Sequence, residues 1–93
     1  MTLEKLVSKY IASTEQVFDE IEIADKPEKM NAEGAESVVE AAKTYLEDAK
    51  YYRDKKKFAV SLTSVAYCEG LLDALKLLGA VKFEWPTRKE EEE

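Results

Sequence analysis

Residues 58–81 read FAVSLTSVAYCEGLLDALKLLGAV, and this stretch decides the fold. Leu, Val, Ala, Tyr and Cys occupy nearly every angle of a helix drawn through it. Its charged residues, Glu69, Asp73 and Lys76, fall in one narrow sector. A helix that is apolar all round has to be covered on several sides. The pattern therefore predicts an inner helix over 57–78. Gly79 ends it as the left-handed residue that follows a helix cap.

Working towards the N-terminus, residues 32–53 form a second helix. Ala35, Val38, Val39, Ala42, Tyr45, Leu46, Ala49 and Tyr52 line its apolar side. Many of these are alanines, so a neighbouring helix can approach closely. Glu36, Glu40, Lys43, Glu47 and Lys50 form the wet side, with Glu40–Lys43 and Glu47–Lys43 or Glu47–Lys50 as helix-surface ion pairs. The turn falls at 54–57, with Asp54 expected to cap the third helix. One unbroken helix over 32–78 would be about 70 Å long and could not bury itself in a monomer.

The first helix spans 3–22. Leu3, Leu6, Val7, Tyr10, Ile11, Thr14, Val17, Phe18 and Ile21 follow the i, i+3, i+4, i+7 spacing of one buried stripe. Thr2 is its expected N-cap, and Asn31 that of the second helix. Residues 24–31 are a connector, which Pro27 keeps from being helical. After Gly79, Val81, Phe83 and Trp85 alternate with Lys82 and Glu84. That spacing gives a short extended peptide able to fold back over the bundle. Residues 86–93 read as a solvated, disordered acidic tail. The expected fold is all-α: one domain over 1–85, a three-helix up-down-up bundle with an extended C-terminal tail.

Composition narrows the function classes. The chain has 93 residues, a net charge of −6 and a pI near 4.8. That balance opposes nucleic-acid backbones and anionic lipid. There is no histidine, which removes the commonest general base and the commonest metal ligand. The single cysteine, Cys68, cannot form an internal disulfide, so a reducing, cytoplasmic setting is expected. The start, MTLEKLVSKY, does not read as a signal peptide. Glu69, Asp73 and Lys76 interrupt the best apolar run, so no membrane span is expected.

The segment YLEDAKYYRDKKKFAVSLTSVAYCEGLLDALKLLG (45–79), together with the start MTLEKLVSKYIASTEQVF, resembles an archaeal family of small helical proteins, Domain of Unknown Function family 357. The resemblance covers about residues 2–81. Its telling parts are the DAKYY segment, the KKF turn and the Tyr67–Ala74 block. It implies a three-helix up-and-down bundle, an archaeal cytoplasmic origin and no established activity, and it supplies no catalytic residues. The second and third helices also resemble one tetratricopeptide hairpin, although an array needs at least three repeats. In size the chain is similar to nuclease domains of the HEPN type, whose Arg-then-His chemistry is unavailable without histidine.

Four groups of residues stand out. Glu69 and Asp73 share a face one turn apart. Di-metal bundle sites add Glu-x-x-His motifs from facing helices, so here the pair reads as a solvated strip with Lys76 bound to Asp73. Arg53, Lys55, Lys56 and Lys57, beside Tyr51 and Tyr52, are the one basic cluster. It reads as a hydrated helix turn suited to the C-terminal end of a helix, with RNA contact as the alternative. Cys68 lies in apolar surroundings that raise its pKa, and it reads as core. The apolar excess of the third helix is the fourth. Val60, Tyr67, Leu71, Ala74, Leu75 and Leu78, with Trp85 at the edge, are the expected interface, because uncovered apolar patches mark interfaces. The expected function is a non-catalytic module that self-associates as a homodimer or docks on a protein partner, with no cofactor or metal. The alternatives are an RNA-associated factor using 53–57 and a small-ligand pocket between the second and third helices near Tyr45, Tyr67 and Glu69.

Overall fold

The computed structural model describes residues 1–86; the acidic tail expected over 86–93 lies, beyond Pro86, outside the described residues. The elements in order are α1 (Leu3–Glu20), β1 (Glu22–Ile23), α2 (Ala32–Asp54), α3 (Phe58–Leu77) and β2 (Val81–Lys82). Three helices and one two-residue strand pair make an all-α bundle.

α1 starts where Thr2 Oγ1 accepts from the Lys5 amide at 3.1 Å. Val7, Ile11, Thr14 and Val17 are buried at helical spacing. The Thr14 hydroxyl, fully buried, donates to the Tyr10 carbonyl at 2.8 Å, which satisfies it within its own helix. The helix stops at Glu20, sooner than periodicity predicts, because Ile21 turns extended and β1 pairs with β2. The pairing is antiparallel, Glu22 opposite Lys82 and Ile23 opposite Val81, and the Ala24 amide donates to the Ala80 carbonyl at 2.9 Å.

α2 opens on Asn31, whose side-chain oxygen accepts from the Gly34 amide. Its buried residues, Ala35, Val39, Ala42, Leu46 and Ala49, repeat in steps of four and three. α3 answers with Ser61, Val65, Cys68, Leu72 and Leu75 in the same steps. Two such seams pack together as an antiparallel pair. The alanines and Ser61 bring the two backbones close: the Ser61 hydroxyl donates to the Ala49 carbonyl at 2.6 Å, buried between the helices. α1 lies against both, with Ile11, Val17, Leu72 and Leu75 in the shared core.

Both ends of the α2–α3 hairpin close by the same device. After α2, the Lys56 amide donates to Arg53 and the Lys57 amide to Tyr52. After α3, the Gly79 amide donates to Lys76 and the Ala80 amide to Leu75. Each is a Schellman cap, which needs a left-handed residue. Gly79 supplies it at φ 71°, and Lys56 at φ 61° despite carrying a Cβ. Asp54 is therefore not the cap of α3. It is the last residue of α2, the cap turn consumes 55–57, and α3 begins at Phe58, with Lys57 as an N-cap that makes no side-chain hydrogen bond.

Candidate functional site: an uncharged face of the third helix

Three arcs divide the surface of α3. The first is the core seam just described. The second carries Glu69, Asp73 and Lys76, and the C-terminal peptide lies on it. Val81 and Phe83 are buried, the Trp85 indole nitrogen donates to Asp73 Oδ1 at 2.7 Å, and Lys76 Nζ stands 3.7 Å from Glu84 and 5.0 Å from the Phe83 ring centre. Phe83 and Trp85 meet edge to face at 5.1 Å. The expected Lys76–Asp73 ion pair is thus replaced: Asp73 takes the indole and Lys76 takes Glu84, because the returning peptide brings both partners to the strip.

The third arc is left open. It holds Ala59, Val60, Thr63, Ala66, Tyr67, Gly70, Leu71, Ala74, Leu77 and Leu78, which a 100° step per residue places on one side of the helix. None is charged. Leu71 is half-buried and the other nine are exposed, with Leu77 at 83%, Tyr67 at 61%, Val60 at 46% and Leu78 at 40%. The extended peptide does fold back, yet it covers the charged sector and leaves the greasy one bare. A second ring continues the open surface onto α2: Tyr45 stacks on Tyr67 at 5.4 Å, with planes 24° apart.

Within the arc Leu62, Thr63, Ala66, Tyr67, Gly70 and Leu71 line a shallow, open, apolar trough of about 560 Å³. Its floor is small because Ala66 and Gly70 stand one turn apart. A Cβ added at Gly70 would meet nothing within 4 Å, so among the described residues none uses the space this glycine leaves.

Of the residues expected at an interface, Val60, Tyr67, Ala74 and Leu78 lie on the open arc, and Leu71 is at its inner edge. Leu75 does not: it is buried in the core seam facing α1 and α2, three steps from Leu72. Trp85 is half-buried on Asp73, which flanks Gly70 and Leu77 on the helix surface. Sequence reasoning missed Leu77, the most exposed large apolar side chain, as well as Thr63, Ala66 and Gly70 as one trough. Of the residues expected at a pocket, Tyr45 and Tyr67 stack on each other, Tyr67 also lines the trough, and Glu69 lines a separate hollow with Asp73, Trp85 and Pro86.

Two of the four basic side chains of the turn meet neighbours within it. Arg53 Nε lies 3.4 Å from Asp54, and Lys55 Nζ sits 5.4 Å over the Tyr51 ring, which meets Tyr52 edge to face at 5.2 Å. Lys56 makes the left-handed turn and Lys57 precedes α3. Elsewhere Lys50 binds Glu15 at 2.9 Å and Glu47 at 3.5 Å, and the hydrogen bond it donates to Glu15 raises its pKa above the ordinary lysine value.

Cys68 is fully buried, and burial, then the neighbouring Glu69 charge, push its thiol up to about 12. It is a neutral core group at any ordinary pH. Among the described residues no three His, Cys, Asp or Glu side chains gather to hold a metal. Among those residues, too, α3 is the one helix long and apolar enough by composition to cross a membrane, so its three charges do not interrupt it as much as expected. In this fold it packs as a bundle helix.

Residues 9–81 match the model of a family described as Protein of unknown function (DUF357), and the chain belongs to that family. No curated protein and no solved structure matches it.

Proposed function

We propose that this member of the DUF357 family is a non-catalytic interaction module that docks through the open arc of α3. One observation carries the reading: ten consecutive arc positions over about 30 Å of helix carry no charge in a chain with a net charge of −6. Contiguous exposed apolar patches mark interaction sites, and among the described residues nothing covers this one. The bundle supplies a rigid mount, since the same helix forms the core on its other side. A reducing, cytoplasmic setting belongs to the same reading, because the one cysteine is buried and neutral.

Photo-crosslinking in the native cell tests it. A photoreactive residue in place of Tyr67 is expected to yield a defined adduct, and the same residue in place of Gln16, exposed on α1, is not. Equal labelling at both positions, or none at Tyr67, would remove the proposal.

A further inference from the structure

We infer that the occupant of the arc is a second copy of this chain, docked with the two α3 helices antiparallel about a two-fold axis that passes between Tyr67 and Gly70. This rests on the docking role proposed for the arc and names its partner.

Size complementarity is the first argument. A two-fold axis at the middle of the arc sets each residue against a fixed counterpart, and the contact is repeated on both copies. Tyr67 then faces Gly70, Ala66 faces Leu71, Ala59 faces Leu78, Thr63 faces Ala74 and Val60 faces Leu77. Three of the five pairings set a large side chain against a small one. The trough over Ala66 and Gly70 becomes the seat for the Tyr67 ring of the other copy, and the empty space at Gly70 acquires a use.

Charge is the second. The net charge of −6 opposes association of two copies almost everywhere, and the arc is where they meet without facing charged groups. Antiparallel alignment also opposes the two helix dipoles. It brings the turn with Lys55, Lys56 and Lys57 at the start of one α3 towards the carbonyl end of the other, where partial negative charge collects.

Area is the third. The exposed parts of Tyr45, Val60, Tyr67, Leu77 and Leu78, with the small residues between them, offer on the order of 600 Å², against the roughly 600–1,000 Å² per partner of a stable interface. That is enough for a dimer at the weak end of the range.

Sedimentation equilibrium of the purified full chain, across a concentration series, is the test. A monomer–dimer equilibrium in roughly the micromolar range is expected. Leu77→Glu places a carboxylate against the partner's apolar seam and is expected to weaken it at least about ten-fold, while Gln16→Glu leaves it unchanged. Both positions are exposed, so both variants fold, which circular dichroism checks. Register is read by mixing equal amounts of Val60→Cys and Leu77→Cys chains under mild oxidant: the mixed disulfide is expected to exceed each self-pair by well more than the two-fold that random pairing gives. A chain that stays monomeric at millimolar concentration overturns the second-copy inference. So does a dimer indifferent to Leu77→Glu, or one whose cysteines ignore the pairing. If the chain is monomeric while the photoreactive residue at Tyr67 still captures one defined protein, the docking role survives and the second copy does not. If Tyr67 captures nothing either, both fall.

Discussion

The Trp85 indole donates to the Asp73 carboxylate at 2.7 Å, joining residues twelve apart on the outside of α3. This bond and the Lys76–Glu84 pair direct the returning peptide to the charged strip of the helix. The apolar arc stays bare because the peptide is held elsewhere by polar contacts, not because it is too short to matter.

Replacing Trp85 with Phe keeps a ring and removes the donor. The expected loss is about 1 kcal/mol, or a fall in melting temperature of roughly 4–8 °C for a domain of this size. Asp73→Asn retains an acceptor oxygen and is expected to cost less. Thermal unfolding by circular dichroism checks the order of the two.

The glycines at 70 and 79 should respond in opposite directions. Gly70→Ala adds a helix-favouring methyl where nothing stands within 4 Å, so a dilute sample gains about 0.5–1 kcal/mol. Gly79→Ala forces a Cβ onto φ 71° and loses about 1–2 kcal/mol. Urea unfolding of both variants at low protein concentration settles the signs.

Lys56 holds a left-handed conformation at the other Schellman cap. Lys56→Gly removes the Cβ conflict and is expected to stabilise by up to about 1 kcal/mol. An unchanged or lower urea midpoint would show that the lysine carries no strain there.

Ser61 is fully buried, and its hydroxyl bonds to the Ala49 carbonyl. Ser61→Ala is expected to cost about 1 kcal/mol. Ser61→Leu should cost more, about 1–3 kcal/mol, because it drives a large side chain between the two closest helices. Equilibrium unfolding in urea separates the two values.

Cys68 gives a pH test. Its native pKa is raised from 9.0 to about 12, so the folded state holds the proton more tightly than the unfolded one. The stabilising contribution is complete below about pH 9 and is lost as pH climbs towards 12. Wild type is expected to lose more stability between pH 9 and 11 than Cys68→Ala does. At pH 8 a thiol reagent should label Cys68 only at the rate of unfolding.

Helix number and order were legible because α1 and α2 alternate polar and apolar sides at a clean helical period. Thr2, Asn31 and Gly79 announced three of the helix ends by chemistry alone. α3 was harder for a physical reason. A helix apolar on every side offers no contrast from which to choose its buried face, so Leu75 and Leu77 looked equivalent. Only the steps from Ser61 to Val65, Cys68, Leu72 and Leu75, matched to the alanine seam of α2, separate them. The Asp54 cap failed because a lysine took a conformation that sequence rules reserve for glycine. The partners of Asp73 and Lys76 lie on a peptide that follows the helix, and no local spacing encodes that return.

The pairing of Glu22 with Lys82 has a bearing on synthesis. α1 emerges first from the ribosome, but the strand that anchors its end, and the Phe83 ring that seals the core, are made after all three helices. The α2–α3 hairpin has only local closure to wait for and can form at once. A nascent chain halted just after Gly79 would hold the first helix by its packing on α2 and α3 alone, with the Ile23–Val81 pairing and the Phe83 seal still unmade.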